Sequence, residues 1–226
     1  MAERADASSS RARPGLTAPV VERLIEYRRN LRRWLADGRT RIYSHELAAL
    51  ASITSVLVRR DLMMIEYTGS PARGYDVAGL IERIDKVLNA ARGQRIVLVG
   101  VGSLGRAILK HLGRIHPELR IVAAFDTAAE KVGRVIDNCR CYDVAELETV
   151  VEQQRAAIGI IAVPEQAAPT VARRLVQAGV RGILNFSPAR LRLPPVVYVE
   201  DVDIAVSLEK VVFFAQPEAE TWEARA

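Results

Sequence analysis

The sequence predicts an α/β fold made of two blocks, and two patterns in the chain carry that prediction. Over residues 17–92, apolar residues recur at spacings of three and four, which indicates helices. Over residues 93–202, continuous apolar runs alternate with helical stretches, which is typical of a parallel sheet covered on both faces. We expect residues 1–16, which are polar, to be a disordered tail and residues 203–226 to hold a terminal helix.

The composition excludes several classes of protein. Half of the 226 residues are hydrophobic, which suffices for a core, so global disorder is excluded. Two cysteines exclude a disulfide scaffold and favour a reducing compartment. No apolar run approaches the roughly 20 residues that span a bilayer, and the first residues lack the apolar segment of a secretory signal. We therefore expect a cytoplasmic protein with no membrane partner.

The net charge of +5 is unevenly distributed along the chain. Residues 1–92 hold 16 Lys and Arg against 11 Asp and Glu, whereas residues 93–226 hold 16 of each kind. A basic block joined to a neutral block indicates a polyanion partner for the first block only. A GC-rich genome would explain the preference for Arg over Lys, but it does not explain the asymmetry.

Three short helices are predicted at the start of the first block. The first begins at Thr17, a possible N-cap, and ends at Gly38. The second spans residues 44–51, and the third begins near Thr54, another possible N-cap. The apolar residues that define these helices, or that we expect to face the core, are Val20, Val21, Leu24, Ile25, Leu31, Trp34, Leu35, Leu47, Leu50, Val58 and Leu62.

A turn-rich segment follows the third helix. The stretch MIEYTGSPARGYDV (63–76) predicts a hairpin or wing, and Asp76 then caps a helix that extends to about Ala91. Three short Arg-rich helices followed by a wing are the parts of a winged helix-turn-helix domain. Arg59 and Arg60 of the third helix suit guanine edges and phosphates, although a solvated helix face is the alternative. The candidate DNA-binding residues are Ser55, Arg59, Arg60 and Arg73.

The second block alternates strands with helices. The predicted strands are 95–100, 120–126, 157–164 and 182–187, and the predicted helices are 103–113, 143–154 and 165–178. A last strand and the terminal helix are expected within residues 196–216. This order is typical of a Rossmann-like parallel-sheet domain.

A glycine-rich motif, Gly100-Val101-Gly102-Ser103-Leu104-Gly105, lies between the first predicted strand of this block and the next helix. Gly100 permits a tight turn, Gly102 lets a pyrophosphate approach the backbone, and Gly105 lets the helix pack closely on the strand. Asp126 ends the following strand, where it would accept hydrogen bonds from ribose hydroxyls and repel a 2′-phosphate. The motif therefore favours NAD(H) over NADP(H), the alternative being an ordinary glycine-rich turn.

Four further residues follow the next two strands at the edge where ligands bind in such sheets. Val163 and Pro164 end one strand, and Asn185 and Ser187 end the other. The alternatives are a proline at a helix start and a simple turn. Lys131 is a further candidate for the same site.

Other reactive residues indicate little chemistry. Cys139 and Cys141 lack the additional ligands of a zinc site, so free thiols are expected, with a redox switch as the alternative. His45, His111 and His116 form no metal-ligand pattern. We expect neither catalytic nor metal-binding residues.

The two blocks together resemble the Rex family of redox-sensing transcriptional repressors, from about Thr17 to Phe214. The matching stretches are RLIEYRRNL (23–31), SHELAALASIT (44–54), VRRDL (58–62), RGYDV (73–77), VLVGVGSLGRA (97–107), AAFD (123–126), IIAVPEQAA (160–168), GVRGILNFSP (179–188) and VEDVD (199–203). The resemblance implies a homodimer that binds a palindromic double-stranded DNA operator and NAD(H), with a terminal helix swapped between subunits. It also implies that NADH releases DNA, whereas NAD⁺ permits binding.

Residue roles follow from the resemblance position by position. Arg59 and Arg60 match the family's basic pair on the recognition helix, and the glycine motif with Asp126 matches its NAD fingerprint. Arg29 and Asp203 match an arginine and an aspartate that pair to form an interdomain switch. The candidate cofactor-binding residues are Gly100, Val101, Gly102, Ser103, Leu104, Gly105, Asp126, Lys131, Val163, Pro164, Asn185, Ser187 and His111.

The chain departs from the family's pattern at three places. Met63-Met64-Ile65-Glu66 replaces a usual S-Y-F-G, and the wing reads Pro71-Ala72-Arg73-Gly74-Tyr75, with two glycines lost. His111 replaces a tyrosine near the nicotinamide. An exposed helix histidine with no effect on NADH binding is the favoured interpretation, and an NADH response that depends on pH near neutrality is the alternative.

Two other functions are alternatives. An NAD-dependent oxidoreductase commonly needs a substrate domain, and the second block spans only about 110 residues. A CoA- or nucleotide-binding module is suggested by GIIAVPEQAA and AGVRGIL. Asp126 disfavours CoA, because the ribose of CoA carries a 3′-phosphate.

Overall fold

The structure is a computed structural model that describes residues 16–70, 72–88, 95–115 and 119–215. The chain divides into two compact units, which we name the N-terminal unit (Met1–Arg92) and the C-terminal unit (Gly93–Ala226). The predicted disordered tail lies outside the described residues, apart from Leu16. Pro71 of the wing, the predicted helix end at Ala91, and His116 also lie outside them.

The N-terminal unit contains four helices and a two-stranded sheet among its described residues. The elements are α1 (Ala18–Ala36), β1 (Arg41–Ile42), α2 (Ser44–Leu50), α3 (Ser55–Met64), β2 (Tyr75–Asp76) and α4 (Val77–Leu88). The four predicted helices are thus confirmed. Within the predicted wing, Ser70 and Gly74 form an antiparallel bridge. The following strand β2 pairs antiparallel with β1, a strand that the sequence did not predict.

Side-chain caps explain where two of these helices begin. The Thr54 hydroxyl accepts a hydrogen bond from the Leu57 amide at 3.3 Å, and an Asp76 carboxylate oxygen accepts one from the Gly79 amide at 2.8 Å. Both predicted caps are therefore confirmed. Thr17 precedes α1 as expected, but its side chain makes no capping hydrogen bond.

The core of the N-terminal unit is formed by one stripe from each helix. Its fully buried apolar members include Leu24, Leu31, Leu47, Val58, Leu62, Leu80 and Ile84. The prediction that Leu50 faces inward is wrong. Leu50 is 41% exposed, because Leu47, Ala48 and Ala51 form the buried stripe of α2. Ile25 and Leu35 are exposed as well, since they flank the buried face of α1.

The C-terminal unit is a seven-stranded sheet with helices on both faces. Its elements are β3 (Arg95–Val99), α5 (Ser103–Ile115), β4 (Ile121–Asp126), β5 (Val135–Ile136), β6 (Cys139–Asp143), α6 (Leu147–Gln154), β7 (Ala156–Ile161), α7 (Ala168–Gln177), β8 (Gly182–Asn185), β9 (Tyr198–Asp201) and α8 (Ile204–Phe214). The strand order is β5-β6-β4-β3-β7-β8-β9, and every pair is parallel except β5 with β6. The Rossmann-like prediction is confirmed.

Successive side chains of the central strand β3 pack into two different hydrophobic cores. Val97 and Val99 pack with α6 and α7, whereas Ile96 and Leu98 pack with the α5 side chain of Leu109. This alternation explains why the strands are continuously apolar in sequence.

Two predicted elements differ from the structure. The helix predicted over 143–154 opens with a 3₁₀ turn at Val144–Glu146, and α7 begins at Ala168 rather than at residue 165, because a turn follows Pro164. The β5–β6 hairpin was not predicted, since its residues lack a continuous apolar run. None of the helices in the described ranges is long and apolar enough to cross a membrane.

Candidate nucleotide site and DNA-binding surface

The topology of the C-terminal unit places a crevice beside β3. The chain leaves β3 for β4 on one side and later returns to β7 on the other side. Loops after two such strands diverge at the carboxyl edge of the sheet, where ligands bind in open α/β folds. The glycine motif follows β3, and the segment Ala162–Ala167 follows β7.

The three glycines of the motif have different surroundings. Gly100 has a φ of +97°, and a Cβ there would lie 2.3 Å from the Ala162 carbonyl oxygen. A Cβ at Gly105 would lie 2.0 Å from the Gly100 carbonyl oxygen. A Cβ at Gly102 would meet no atom within 4 Å. The protein itself therefore requires Gly100 and Gly105, whereas the space over Gly102 is open.

The open space over Gly102 adjoins the first turn of α5. Ser103 and Leu104 of that turn are exposed, whereas Val101 is buried. The first amides of a helix have no partner within the helix and carry partial positive charge, so they suit a phosphate group.

Asp126 lies against this loop at the end of β4. One carboxylate oxygen accepts hydrogen bonds from the Val101 amide at 2.8 Å and the Lys131 ammonium at 3.0 Å, and the other accepts one from the Ala128 amide at 2.9 Å. Partial burial raises the pKa of Asp126, but the hydrogen bonds from Ala128, Lys131 and Val101 outweigh it and hold the pKa below its usual value. The carboxylate is thus ionised, and acceptor capacity remains for a hydroxyl.

Val163 and Pro164 border the same loop. Val163 Cγ1 would lie 3.0 Å from a Cβ at Gly100, and the Ala162 amide donates to the Val99 carbonyl at 2.8 Å. Pro164 is exposed, and its carbonyl accepts a hydrogen bond from the Ala167 amide at 3.0 Å. The structure therefore brings the predicted residues after β3, β4 and β7 together.

Asn185 and Ser187 shape the loop after β8. The Asn185 side-chain amide donates to the Asp201 carboxylate at 2.7 Å and to the carbonyls of Ser187 and Ala189 at 3.0 Å each. The Asn185 side-chain oxygen accepts from the Ser187 amide, and the Ser187 hydroxyl accepts from the Ala189 amide. Both residues are buried, so their contact with a cofactor stays a prediction.

His111 is exposed on α5. It lies eight residues after Ser103, which is about 12 Å along the helix. Its role beside a nicotinamide stays a prediction.

Cys139 and Cys141 are free and buried in β6. Burial raises the pKa of both thiols, that of Cys139 to about 11, so both remain protonated at neutral pH. The free-thiol prediction is confirmed. Within the described ranges, no cluster of three or more His, Cys, Asp or Glu side chains could hold a metal ion.

The outer face of α3 combines basic and apolar side chains. Arg59 and Arg60 are exposed, as are Val56 and Met63, which are 65% and 70% accessible, and Ser55 is partly exposed. Spacings of three and four place Val56, Arg59 or Arg60, and Met63 on one side of a helix. This face suits hydrogen bonding and apolar contact with base edges in a major groove.

Hydrogen bonds from the start of α2 hold parts of this surface in position. The Arg59 guanidinium donates to the Ser44 hydroxyl at 3.1 Å, which ties it to the first residue of α2. The Tyr43 hydroxyl donates to the Ala72 carbonyl at 3.1 Å, which ties the start of α2 to the wing. Arg73, at the tip of the wing, is exposed.

Asp61 anchors α3 from the inside, a role that the sequence analysis missed. Its carboxylate is 1% exposed, accepts two hydrogen bonds from the Arg23 guanidinium at 2.6 and 2.7 Å, and accepts one from the Tyr27 hydroxyl at 2.7 Å. The Asp61 hydrogen bond raises the pKa of Arg23, and burial together with Asp61 raises that of Tyr27. The sequence signal that could have revealed this role is a charged residue, Asp61, next to Val58 and Leu62, the two apolar residues expected to face the core.

Arg29 and Asp203 are each described within their own unit. Arg29 is exposed on α1. Asp203 caps α8, because its carboxylate accepts a hydrogen bond from the Val206 amide at 3.0 Å. The predicted switch between these residues stays a prediction.

Two sequence families match the chain in succession. One is described as putative DNA-binding protein N-terminus and matches residues 16–62. The other is described as CoA binding domain and matches residues 92–189.

Curated relatives match most of the chain. A redox-sensing transcriptional repressor Rex from Rhodopirellula baltica is 39% identical over 204 residues, which cover 90% of this chain and 86% of that protein. A redox-sensing transcriptional repressor Rex 2 from Enterococcus faecalis is 37% identical, covering 86% of this chain and 91% of that protein.

Solved structures of a Rex-family repressor, RSP, have a similar fold. The complex of RSP with beta-NAD⁺ and operator DNA is 30% identical and aligns with a TM-score of 0.83, covering 88% of this chain and 92% of that chain. The complex of RSP with beta-NADH aligns with a TM-score of 0.78, at 30% identity and with 88% and 93% coverage.

Proposed function

This chain belongs to the Rex family of redox-sensing transcriptional repressors, and from that premise we propose how its own residues act. The N-terminal unit binds a palindromic double-stranded operator through α3 and the wing. The C-terminal unit binds NAD(H) at the glycine motif, and NADH releases the operator. A repressor acts on DNA, so we place the protein in the cytoplasm.

The observation that carries this proposal is the open space over Gly102, with Asp126 held beside the same loop. A pyrophosphate at Gly102 would face the free amides of α5. We propose that the adenosine ribose then binds beside the Asp126 carboxylate, which accepts a hydrogen bond from the Val101 amide. Lys131 balances part of the carboxylate charge without displacing it.

The exposed apolar helix α8 supports a homodimer. All of its described side chains are exposed, among them Ile204, Val206, Leu208, Val211, Val212, Phe213 and Phe214, which are 45–81% accessible. An apolar surface of this kind is typical of an interaction site. We propose that α8 packs against a second copy of the chain, as a swapped helix.

We further propose that Arg29 of one subunit pairs with Asp203 of the other and links the two units. NADH can favour one arrangement only by its differential affinity for that arrangement. By reciprocity, operator DNA must weaken NADH binding by the same factor by which NADH weakens DNA binding.

The proposal is tested by an operator mobility shift with NADH and NAD⁺ titrated separately. We expect NADH to weaken operator binding and NAD⁺ to permit it. NADH affinity measured by fluorescence, with and without operator, should change by the same factor. Operator binding that is insensitive to both nucleotides would contradict the proposed sensing.

A CoA-binding module is the second candidate, since the CoA binding domain family matches residues 92–189. The position of Asp126 disfavours it, because a 3′-phosphorylated ribose would place phosphate charge near this carboxylate. Mass spectrometry of nucleotide retained by purified protein separates the two ligands. The close relatives are repressors, and steady-state turnover of NADH with candidate substrates tests for an oxidoreductase.

A further inference from the structure

A small basic cavity lies on the C-terminal unit, and none of the candidate nucleotide-binding residues lines it. Its volume is about 160 Å³, and it lies between α7 and the segment that follows the loop after β8. The lining residues are Pro169, Ala172, Arg173, Arg190, Leu191, Arg192 and Leu193. The floor is therefore apolar, three arginines surround it, and the lining contains no acidic residue.

Core packing fixes the backbone at two of these arginines. Residues 190–193 alternate Arg and Leu, and Leu191 and Leu193 pack against the core formed with α7. Arg190 and Arg192 alternate with them and are exposed. The leucines thus hold the backbone from which both arginine side chains extend.

The arginines in and near the cavity differ in whether they have an acidic partner. Arg174 forms a bidentate pair with Glu148. Arg173 donates one hydrogen bond to the Thr170 hydroxyl at 3.1 Å, and it has no acidic partner within the described ranges. Arg190 and Arg192 form no side-chain hydrogen bond or ion pair with any described residue. Among the residues that the structure describes, three positive charges without an acidic partner therefore share one small cavity.

The size of the cavity limits what it can hold. Pockets that bury drug-sized ligands have volumes of roughly 300–1,000 Å³, and this cavity, at about 160 Å³, lies well below that range. A space of this size suits a small anion, such as a phosphate group or a short-chain carboxylate.

We propose that this cavity binds a small oxyanion, carrying phosphate or carboxylate oxygens, at a site separate from the glycine motif. Guanidinium groups match such oxygens with paired hydrogen bonds. The anion would relieve the repulsion among Arg173, Arg190 and Arg192. Because it binds the folded state, it would also raise the temperature of unfolding.

The test uses the full chain, with inorganic phosphate and malonate as separate probes against sodium chloride of equal ionic strength. Affinity is measured by titration calorimetry and by the shift in unfolding temperature. The variant R190Q/R192Q removes two rim charges and leaves both anchoring leucines. The matched control R140Q/R155Q removes two exposed charges outside the cavity.

We expect saturable binding of at least one probe to the wild type and to the control. In R190Q/R192Q, affinity should fall at least about tenfold, since the anion loses its hydrogen bonds to two charged donors. The two probes distinguish a phosphate from a carboxylate ligand. NADH affinity of R190Q/R192Q should equal that of the wild type, which shows that the variant is folded.

Three results would overturn the proposal. The first is an equal response of all three proteins, which indicates general salt stabilisation. The second is loss of probe binding at saturating NADH, which places the anion at the glycine motif. The third is binding of acidic polymers but of neither small probe, which indicates a macromolecular surface. None of these results depends on whether the chain represses transcription.

Discussion

The two candidate sites are built from different parts of the polypeptide. The glycine motif depends on backbone, since its amides and the missing side chains of Gly100, Gly102 and Gly105 create the space. The surface of α3 depends on side chains, which a buried carboxylate holds from behind. Adding an atom to the glycine motif therefore damages either the fold or the ligand space, whereas removing atoms from the exposed side chains of α3 affects DNA contact alone.

Gly105→Val should give the largest effect. A Cβ at this position lies 2.0 Å from the Gly100 carbonyl oxygen, so α5 must move away from β3. We expect the free energy of unfolding to fall by about 3 kcal/mol or more, as for severe overpacking. Denaturant unfolding of the full chain measures it, and wild-type stability would show that the loop can rearrange.

Gly102→Val is the matched substitution in the same loop. Its Cβ meets no atom within 4 Å, so we expect little change in stability. NADH affinity should fall at least about a hundredfold, because a branched side chain would occupy the pyrophosphate position. Operator binding should persist and become insensitive to NADH. A normal NADH titration of this variant would show that the glycine motif is not the site.

Asp61→Asn tests how the α3 surface is held in place, because it changes the buried carboxylate that anchors α3. The substitution leaves Arg23 without its carboxylate partner, and we expect about 3 kcal/mol lower stability. Operator affinity should fall only as far as α3 loses its position. Chemical unfolding measures the change in stability. An operator titration at denaturant concentrations below the unfolding transition measures the change in DNA affinity separately. Unchanged stability would mean that packing alone places α3.

Arg59→Ala should weaken specific operator binding by about 1–3 kcal/mol, provided that its guanidinium makes a bidentate base contact. Stability and NADH affinity should stay unchanged, because Arg59 is exposed. Arg33→Ala, an exposed arginine of α1, serves as the control for loss of charge. Equal operator affinity in Arg59→Ala and the wild type would remove Arg59 from the recognition surface.

Asp203→Ala should lower the free energy of unfolding by only about 1 kcal/mol, because it removes the side-chain cap of α8. If Asp203 also forms the proposed switch with Arg29, NADH binding and operator binding persist separately, but most of their coupling is lost. Operator affinity with and without saturating NADH measures that coupling. Release of wild-type size in the variant would leave Asp203 with its capping role alone.

Local patterns sufficed to predict much of this structure. The spacing of apolar residues located α1 to α4, and Thr54 and Asp76 identified two helix starts. Continuous apolar runs located β3, β4, β7 and β8 because both faces of these strands are buried. The glycine motif could be predicted because Gly100 and Gly105 answer local steric demands and Gly102 leaves space for a ligand.

Features that depend on distant partners could not be predicted. The strand β1 has two residues and exists through its pairing with β2, more than thirty residues later. From the sequence alone, Asp61 is an ordinary polar residue of a helix. Its anchoring role follows only from its contacts with Arg23 and Tyr27. Asn185 was identified as a residue of the ligand edge, whereas its bond to Asp201 depends on the neighbouring strand β9.

The exposure of α8 has a consequence for how the chain behaves on dilution. An isolated helix of eleven residues is marginal in water, because nucleation costs more than so few hydrogen bonds return. Whatever covers its apolar side chains therefore also supplies much of its order. If a second copy covers α8, as proposed, folding of this segment and association are one event, and its helix content should decrease as the protein is diluted. Circular dichroism over a dilution series, read against sedimentation, would follow both together.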